Sequence, residues 1–368
     1  MSLNMVKGNA LPIGVDLGSG SLKMAQLRLT DDLELLGAAS APLAGPDCEP
    51  AAGAAKTGFQ DQIRTAGPLM KQVIKAAGFK TRQCILSMPA SASFVQHVKI
   101  PKLPAEEVPK ALQWELQGKL PFPVEDAVVR HVIAGDVFGD GEPKQEVIIV
   151  AAHRDDIDSY LKAARGAGLE PIGISIEACA VVDCFARLFR RASDSARTIL
   201  YIDIGAATTQ IVLSHGNQLV FARNLESGGH QLDQAVADGL KISPQQARAL
   251  RSASEQTQDS AAQDELYHLL DRPLGALGDE LTQCLRYYES VFRNQSVERA
   301  IFVGGQAYDK RLCQMLAQRL NLPAQVGDPL VRIRRIEGAG MAIGLDRREP
   351  QPDWAVAVGL SIGAAEAA

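Results

Sequence analysis

Two stretches of the chain repeat one pattern of hydrophobic and polar positions. Residues 13–27 read IGVDLGSGSLKMAQL and residues 200–214 read LYIDIGAATTQIVLS: each is an apolar strand, an Asp-x-Gly, a turn of small residues and a second apolar or alternating strand. A third stretch, AIFVGGQAYDKRLCQMLAQRL over 300–320, runs an apolar strand into Gly304 and Gly305 and then a helix with Leu312, Leu316 and Leu320 on one stripe. Between the two hairpins the periodicity predicts a strand over 95–100, a helix over 106–118, strands over 127–137 and 146–152, and a helix over 155–165 stopped by Gly166 and Gly168. Those elements amount to a compact α+β unit inserted in the chain. Pro109 fits the 106–118 helix only if that helix begins close to it. A helix over 177–190 leads back into the first domain, and Thr198 opens the second. Residues 37–58, rich in Ala, Gly and Pro, and 252–263, rich in Ser, Gln and Ala, read as surface loops without chemistry.

Composition narrows the picture. The chain has 368 residues, and at about 150 residues per domain it holds two or three domains. Aromatic residues make up 5%, so the core is built from Ala, Val, Leu and Ile, which favours mixed α/β. A hydrophobic fraction of 46% and a net charge of −5 belong to a folded chain and speak against general nucleic-acid binding. The six cysteines (Cys48, Cys84, Cys179, Cys184, Cys284, Cys313) form no C-x-x-C pair and read as reduced, buried small hydrophobes. A single Lys7 precedes Ile13, and Asp16 interrupts the apolar run, which predicts no secretory leader and a cytoplasmic protein. The stretch over 354–365 falls short of the roughly 20 residues that span a bilayer. The six histidines are scattered with no H-E-x-x-H, the chain lacks a P-loop and a G-x-G-x-x-G, and its G-x-S-x-G, GLSIG over 359–363, falls within the apolar run over 354–365 rather than on a strand-to-helix elbow. Zinc site, serine hydrolase, P-loop NTPase and Rossmann dehydrogenase are set aside.

The two hairpins carry a chemistry of their own. In each, the turn of Gly, Ser, Ala or Thr leaves backbone N–H groups uncovered, a nest that a phosphate can approach closely. Asp16 and Asp203 would repel that phosphate alone and make sense as water-mediated Mg²⁺ ligands. Strand, glycine pair and helix over 300–320 suit a flat nucleobase, although a glycine pair by itself also serves a tight turn.

The Asp-x-Gly-Ser-Gly-x-x-Lys of 16–23, the Asp-x-Gly-x-x-Thr of 203–208 and Gly304-Gly305 resemble the two phosphate loops and the adenosine loop of the actin-like and sugar-kinase superfamily. Within it, ALQWELQGKLPFPVEDAVV over 111–129 and EVIIVAAHRDDIDSYLKAARGAGLEPIGISIEA over 146–178 are similar to segments of the FtsA-like PilM family of type IV pilus assembly. SGGHQLDQAVA over 227–237 and PDWAVAVGLS over 352–361 also match, and the similarity runs from 13 to 359. The resemblance implies an α/β, actin-like (ribonuclease H-like) two-domain fold with an inserted small α+β subdomain. Its expected divisions are 1–91, the first domain; 92–169, the partner-binding insertion; 170–197, a connecting helix; 198–349, the second domain with a helical subdomain near 228–297; and 350–368, a helix returning to the first domain.

It also implies ATP and Mg as cofactors, ATP lying between the domains and setting their closure. The implied nucleotide residues are Asp16, Gly18, Ser19, Gly20, Ser21, Lys23, Asp203, Gly205, Ala206, Ala207, Thr208, Gly228, Gly229, Arg251, Gly304 and Gly305. Lys23 stands where such proteins place a lysine on the β-phosphate, its other reading being a solvated strand residue; Thr209 reads as an ordinary strand residue. Two departures point to binding rather than turnover. Arg248 and Arg251 stand where ATP-binding relatives supply a Glu and a Lys to the ribose, and Ala206 and Ala207 replace glycines of more active members. At most a slow Mg-dependent ATPase is expected, with Glu177 the nearest water-positioning residue. The alternative, a small-molecule kinase, needs a general base for its acceptor, for which no distinctive motif is present.

The implied setting is an inner-membrane complex of a type IV pilus or a type II secretion-like machine. The implied partner is the cytoplasmic N-terminal tail of a PilN-like bitopic membrane protein, with other assembly proteins beside it, no nucleic acid, and self-association left open. Because PDWAVAVGLSIGAAEAA lacks a basic amphipathic helix, membrane attachment is expected only through that partner. Trp114, Leu120, Pro121, Phe122 and Pro123 are the expected wall for the tail. Trp114 lies off the stripe of Val108, Leu112 and Leu116; it reads first as half-covered by its own subdomain, second as an interface anchor. Arg332, Arg334 and Arg335 read as a solvated edge.

Overall fold

A computed structural model describes residues 10–43, 58–139, 141–189, 196–254, 260–293, 295–335 and 349–366. Contacts divide the chain into a first unit, Met1–Ala92, His153–Arg187 and Asp328–Ala368, and a second, Ser93–Ala152 and Leu188–Gly327.

The chain opens with the predicted hairpin, β1 (Ile13–Leu17) and β2 (Ser21–Leu29), continues into β3 (Leu33–Pro42), then α1 (Phe59–Ala77) and β4 (Gln83–Met88). Next come β5 (Phe94–Pro101), α2 (Val108–Leu116), β6 (Ala127–Gly139) and β7 (Glu142–His153). They are followed by α3 (Arg154–Gly166), β8 (Glu170–Ile176) and α4 (Glu177–Ala186). The second hairpin is β9 (Thr198–Ile204) with β10 (Thr209–His215), followed by β11 (Gln218–Leu225), α5 (Gly229–Leu240), α6 (Pro244–Ser254) and α7 (Ser260–Val291). Then come β12 (Val297–Val303), α8 (Lys310–Leu320), β13 (Ala324–Val326), β14 (Arg334–Arg335) and α9 (Ala355–Glu366).

The first unit is one six-stranded sheet, ordered β14-β3-β2-β1-β4-β8. Its central strand β1 is buried at all five positions, as a strand covered on both faces must be. α1 packs with α3, and α4 with α9, whose contacts also reach β1, β2 and β4. α3, placed in the insertion on sequence grounds, lies on α1 and belongs to this unit, as does β8, which pairs parallel with β4. Residues 37–42, read as loop, form the second half of β3. The rest of that segment, 44–57, and residues 255–259 of the second low-complexity segment lie outside the described residues, as does Arg190 at the end of the 177–190 helix.

The second unit holds a five-stranded sheet, β11-β10-β9-β12-β13, and a three-stranded one, β5-β7-β6. The small sheet and α2 enclose a core of Val98, Ile100, Val108, Leu112, Leu116, Val147 and Ile149. α2 begins at Val108 with Pro109 in its first turn, where the missing N–H has no helical partner to lose. A polar cluster fastens this insertion to β11 and α7. His97 stacks on Phe221 with ring centroids 4.6 Å apart, its Nδ1 lies 3.1 Å from Glu146 Oε1, and Tyr287 OH donates to the same oxygen at 2.7 Å.

Candidate functional site

The two Asp-x-Gly turns close in the same way. Gly18 N–H donates to Ser21 O at 3.1 Å, and Gly205 N–H donates to Thr208 O at 2.9 Å. The ladders place Asp16 opposite Lys23 and Asp203 opposite Gln210.

At the first turn Asp16 is buried, and its Oδ1 accepts from Ser87 Oγ at 3.4 Å. Burial pushes its carboxyl up to about 6; the Lys23 charge and the Ser87 hydroxyl pull it down, and Asp353 adds a smaller push upward. Lys23 Nζ donates to Ser21 Oγ at 2.8 Å and lies 3.4 Å from Asp353 Oδ2. Asp353 sits in the short turn Pro352–Trp354 just before α9. Gly18, Ser19, Gly20 and Ser21 are half-buried. Glu177, the first residue of α4, accepts from Ala90 N–H at 2.9 Å through Oε2, so its carboxylate closes the turn after β4.

At the second turn Thr208 is half-buried, and Thr209 is a buried strand residue donating to Ser227 O at 2.6 Å. The Gly228-Gly229 corner packs directly on the turn: a Cβ at Gly228 would come within 2.9 Å of Gly205 O and of Thr208 N. The first N–H groups of α5 are engaged there, Gly229 N with Gly205 O at 3.0 Å and His230 N with Ala206 O at 2.7 Å. Gly304, at φ 85, lies against Asp203; a Cβ there would run into the Asp203 carboxylate and Ile204 O. Only glycine combines that dihedral with that approach. Gly305 leads into a turn of 3-10 helix, Gly305–Tyr308, before Asp309 caps α8 by accepting from Leu312 N–H at 2.9 Å.

Arg251 is inside the protein. Its guanidinium donates to Asp233 Oδ1 at 2.5 Å, to Gln306 Oε1 at 2.7 Å and to Gly229 O at 3.3 Å, which ties α5 and α6 to the turn after Gly305. It braces the glycine turns, whereas Arg248 is exposed. Sequence reasoning missed four residues here: Asp353, Ser87, Asp233 and Gln306. Asp353, Asp233 and Gln306 each lay within a segment already singled out, PDWAVAVGLS, SGGHQLDQAVA and the strand, glycine pair and helix over 300–320, whereas Ser87 carried no such signal.

On the insertion, Trp114 is 68% exposed and is not covered by its own subdomain, contrary to its first reading. Leu120 and Phe122 are half-buried, Pro121 and Pro123 exposed. α2 and β6 border a cavity of about 240 Å³ lined by Pro109, Leu112, Gln113, Leu116, Val124, Ala127, Val129 and His131. Arg334 is exposed with Glu34 3.5 Å away, as a solvated edge should be; the Arg335 side chain lies outside the description. Among the described residues no group of three or more His, Cys, Asp or Glu could hold a metal, and no helix is long and apolar enough to cross a membrane.

A solved PilM–PilN type IV pilus biogenesis complex matches with a TM-score of 0.77 at 23% identity, covering 96% of this chain and 98% of that one. The ethanolamine utilization protein EutJ from Carboxydothermus hydrogenoformans matches with a TM-score of 0.55 at 14% identity, over 98% of this chain and 91% of that chain. The cell division protein FtsA of Bacillus subtilis (strain 168) is 22% identical over 287 residues, 72% of this chain; the chain spans 62% of the length of that relative. The fold is the actin-like α/β fold. The family model described as type IV pilus assembly protein PilM matches residues 14–364, so the chain belongs to the PilM family of type IV pilus assembly proteins.

Proposed function

We propose that this pilus assembly protein binds ATP with Mg²⁺ and holds the N-terminal tail of a PilN-like bitopic membrane protein on its inserted subdomain, at the cytoplasmic side of the inner membrane. The nucleotide reading is carried by the matched closure of the two Asp-x-Gly turns, with Lys23 mostly covered beside the first. The donor set fits the ligand. Small-residue turns give phosphate oxygens access to main-chain N–H groups, Gly304 leaves room beside Asp203, and Asp16 and Asp203 are oxygen donors suited to a hydrated Mg²⁺. When bound, Mg²⁺ would offset the repulsion between these carboxylates and the phosphates. Lys23 would contact the phosphate chain, Gly304 and Gly305 would receive the base, and Gly228, Gly229 and Arg251 would hold those turns in place.

Turnover is slow in this reading, because Ala206 and Ala207 add Cβ atoms to the second turn and the Glu177 carboxylate is engaged by Ala90 N–H. Family membership removes the small-molecule kinase alternative. The tail reading is supported by the solved complex named for both proteins and by the exposure of Trp114. Calorimetric titration of the full chain with ATP and Mg²⁺ tests the nucleotide. A charge-assisted phosphate contact contributes roughly 1.5 to 3 kcal/mol, so Lys23→Ala should weaken binding about tenfold to a hundredfold. A wild type that binds no ATP overturns the proposal.

A further inference from the structure

We propose that Asp353 is an internal stand-in for phosphate: it holds Lys23 in the free protein and is exchanged for a ligand phosphate on binding, which restricts the first turn to highly charged ligands. This rests on the ATP reading above and assigns that site its selectivity.

The Lys23 ammonium is fixed from two sides, by Ser21 Oγ at 2.8 Å and by Asp353 Oδ2 at 3.4 Å. Both charged side chains are mostly covered, 13% and 19% exposed, so the pair is less screened than an ion pair on open surface. Asp16 stands opposite Lys23 on β1 and is buried. When both carboxylates are ionised, the three groups sum to one negative charge. A phosphate arriving here does not meet a free cation; it meets a cation already neutralised, inside a net negative neighbourhood.

Asp353 cannot retreat far. The next residue, Trp354, is 1% exposed, and α9 beyond it packs on β1 and β2, so the main chain of the turn is pinned. After exchange its carboxylate stays beside the incoming phosphates. Two outcomes follow from that geometry. A neutral or weakly charged ligand gains nothing by taking Lys23 from Asp353, whereas a polyphosphate does. The residual repulsion makes binding lean on a divalent cation, and removing the Asp353 charge relieves that need.

The test is calorimetric titration of the full chain, wild type, Asp353→Asn, Lys23→Ala and the double variant, with ATP in EDTA, ATP in Mg²⁺, and adenosine. In EDTA, Asp353→Asn should bind ATP about tenfold more tightly than wild type, which is about 1.4 kcal/mol, and Asp353→Ser should behave alike. Adenosine affinity should not change. In the Lys23→Ala background the gain should shrink to threefold or less, since there is then no lysine to release. Unchanged or weaker ATP binding by Asp353→Asn overturns the exchange, as would happen if the carboxylate served a cation or the fold. A full tenfold gain without Lys23 also overturns it, leaving only field repulsion. A wild type that binds ATP in neither condition removes the nucleotide reading itself, and the exchange with it.

Discussion

Replacing Asp16 by Asn measures what a buried carboxylate costs at the first turn. In the folded protein burial raises its carboxyl from the usual 3.8 to about 6, against the opposing pull of Lys23 and Ser87. The native state therefore binds the Asp16 proton more tightly than the unfolded chain does. The stability linked to this group is fully present below about pH 4 and is lost as pH rises through about 6. Roughly two pH units at about 1.4 kcal/mol each make this loss about 3 kcal/mol at neutral pH. Asn has the same shape and keeps a side-chain oxygen for the Ser87 hydroxyl, but has no charge to bury. Asp16→Asn should therefore be about 2 to 3 kcal/mol more stable than wild type at pH 7.5, on the order of 3 to 4 °C in Tm for a chain of this length. At pH 4, where Asp16 is protonated in wild type, the difference should vanish. Urea unfolding of both proteins in EDTA across that pH range reads this directly, because every other titrating group is common to both. The same variant should lose Mg²⁺-dependent ATP binding. A variant less stable than wild type at pH 7.5, or one whose advantage is the same at pH 4, refutes the reasoning.

Gly304→Ala should lower Tm by a few degrees and weaken ATP at least tenfold. At φ 85 and ψ 173 a residue with a Cβ is strained by about 1 to 3 kcal/mol, and Asp203 must also move aside; wild-type ATP affinity in this variant would show that the turn does not shape the site. Trp114→Ala should leave stability within about 0.5 kcal/mol of wild type, because the side chain is 68% exposed. It should cost about 2 kcal/mol in affinity for a fluorescently labelled PilN-type tail peptide, the scale of an interface anchor. Unchanged anisotropy titrations would make Trp114 an ordinary surface residue.

What the sequence made legible was whatever local pattern controls. The strand–turn–strand echo around Asp16 and Asp203 returned as two hairpins with the same closing hydrogen bond. The insertion's strands and helices appeared within a few residues of their expected ends. Residues 37–42 of β3 read as loop because GAASAP resembles one by composition. Its small residues serve packing instead: a Cβ at Gly37 would lie 2.8 Å from Ala77 O at the end of α1. The place of α3 was decided by its packing on α1 and by the pairing of the next strand, β8, with β4, which lies some eighty residues earlier in the chain, and no local periodicity encodes that. Side-chain partners were the least legible. Arg251 sits on α6 at a position where a ribose contact is a natural reading. Only the fold brings Asp233 and Gln306 to its guanidinium, partners that no local pattern around Arg251 announces.

The two hairpins are alike in backbone and unlike in charge. Opposite Asp16 stands Lys23, drawn toward Asp353; opposite Asp203 stands Gln210, whose amide donates to Asn224 Oδ1 at 2.8 Å. The difference follows from burial. Asp16 is enclosed, and an ionised carboxylate there needs a nearby cation, whereas Asp203 is half-buried and water can do part of that work. The second turn is held by contact instead: Gly228 on the turn, Gly304 on Asp203, and Arg251 behind both.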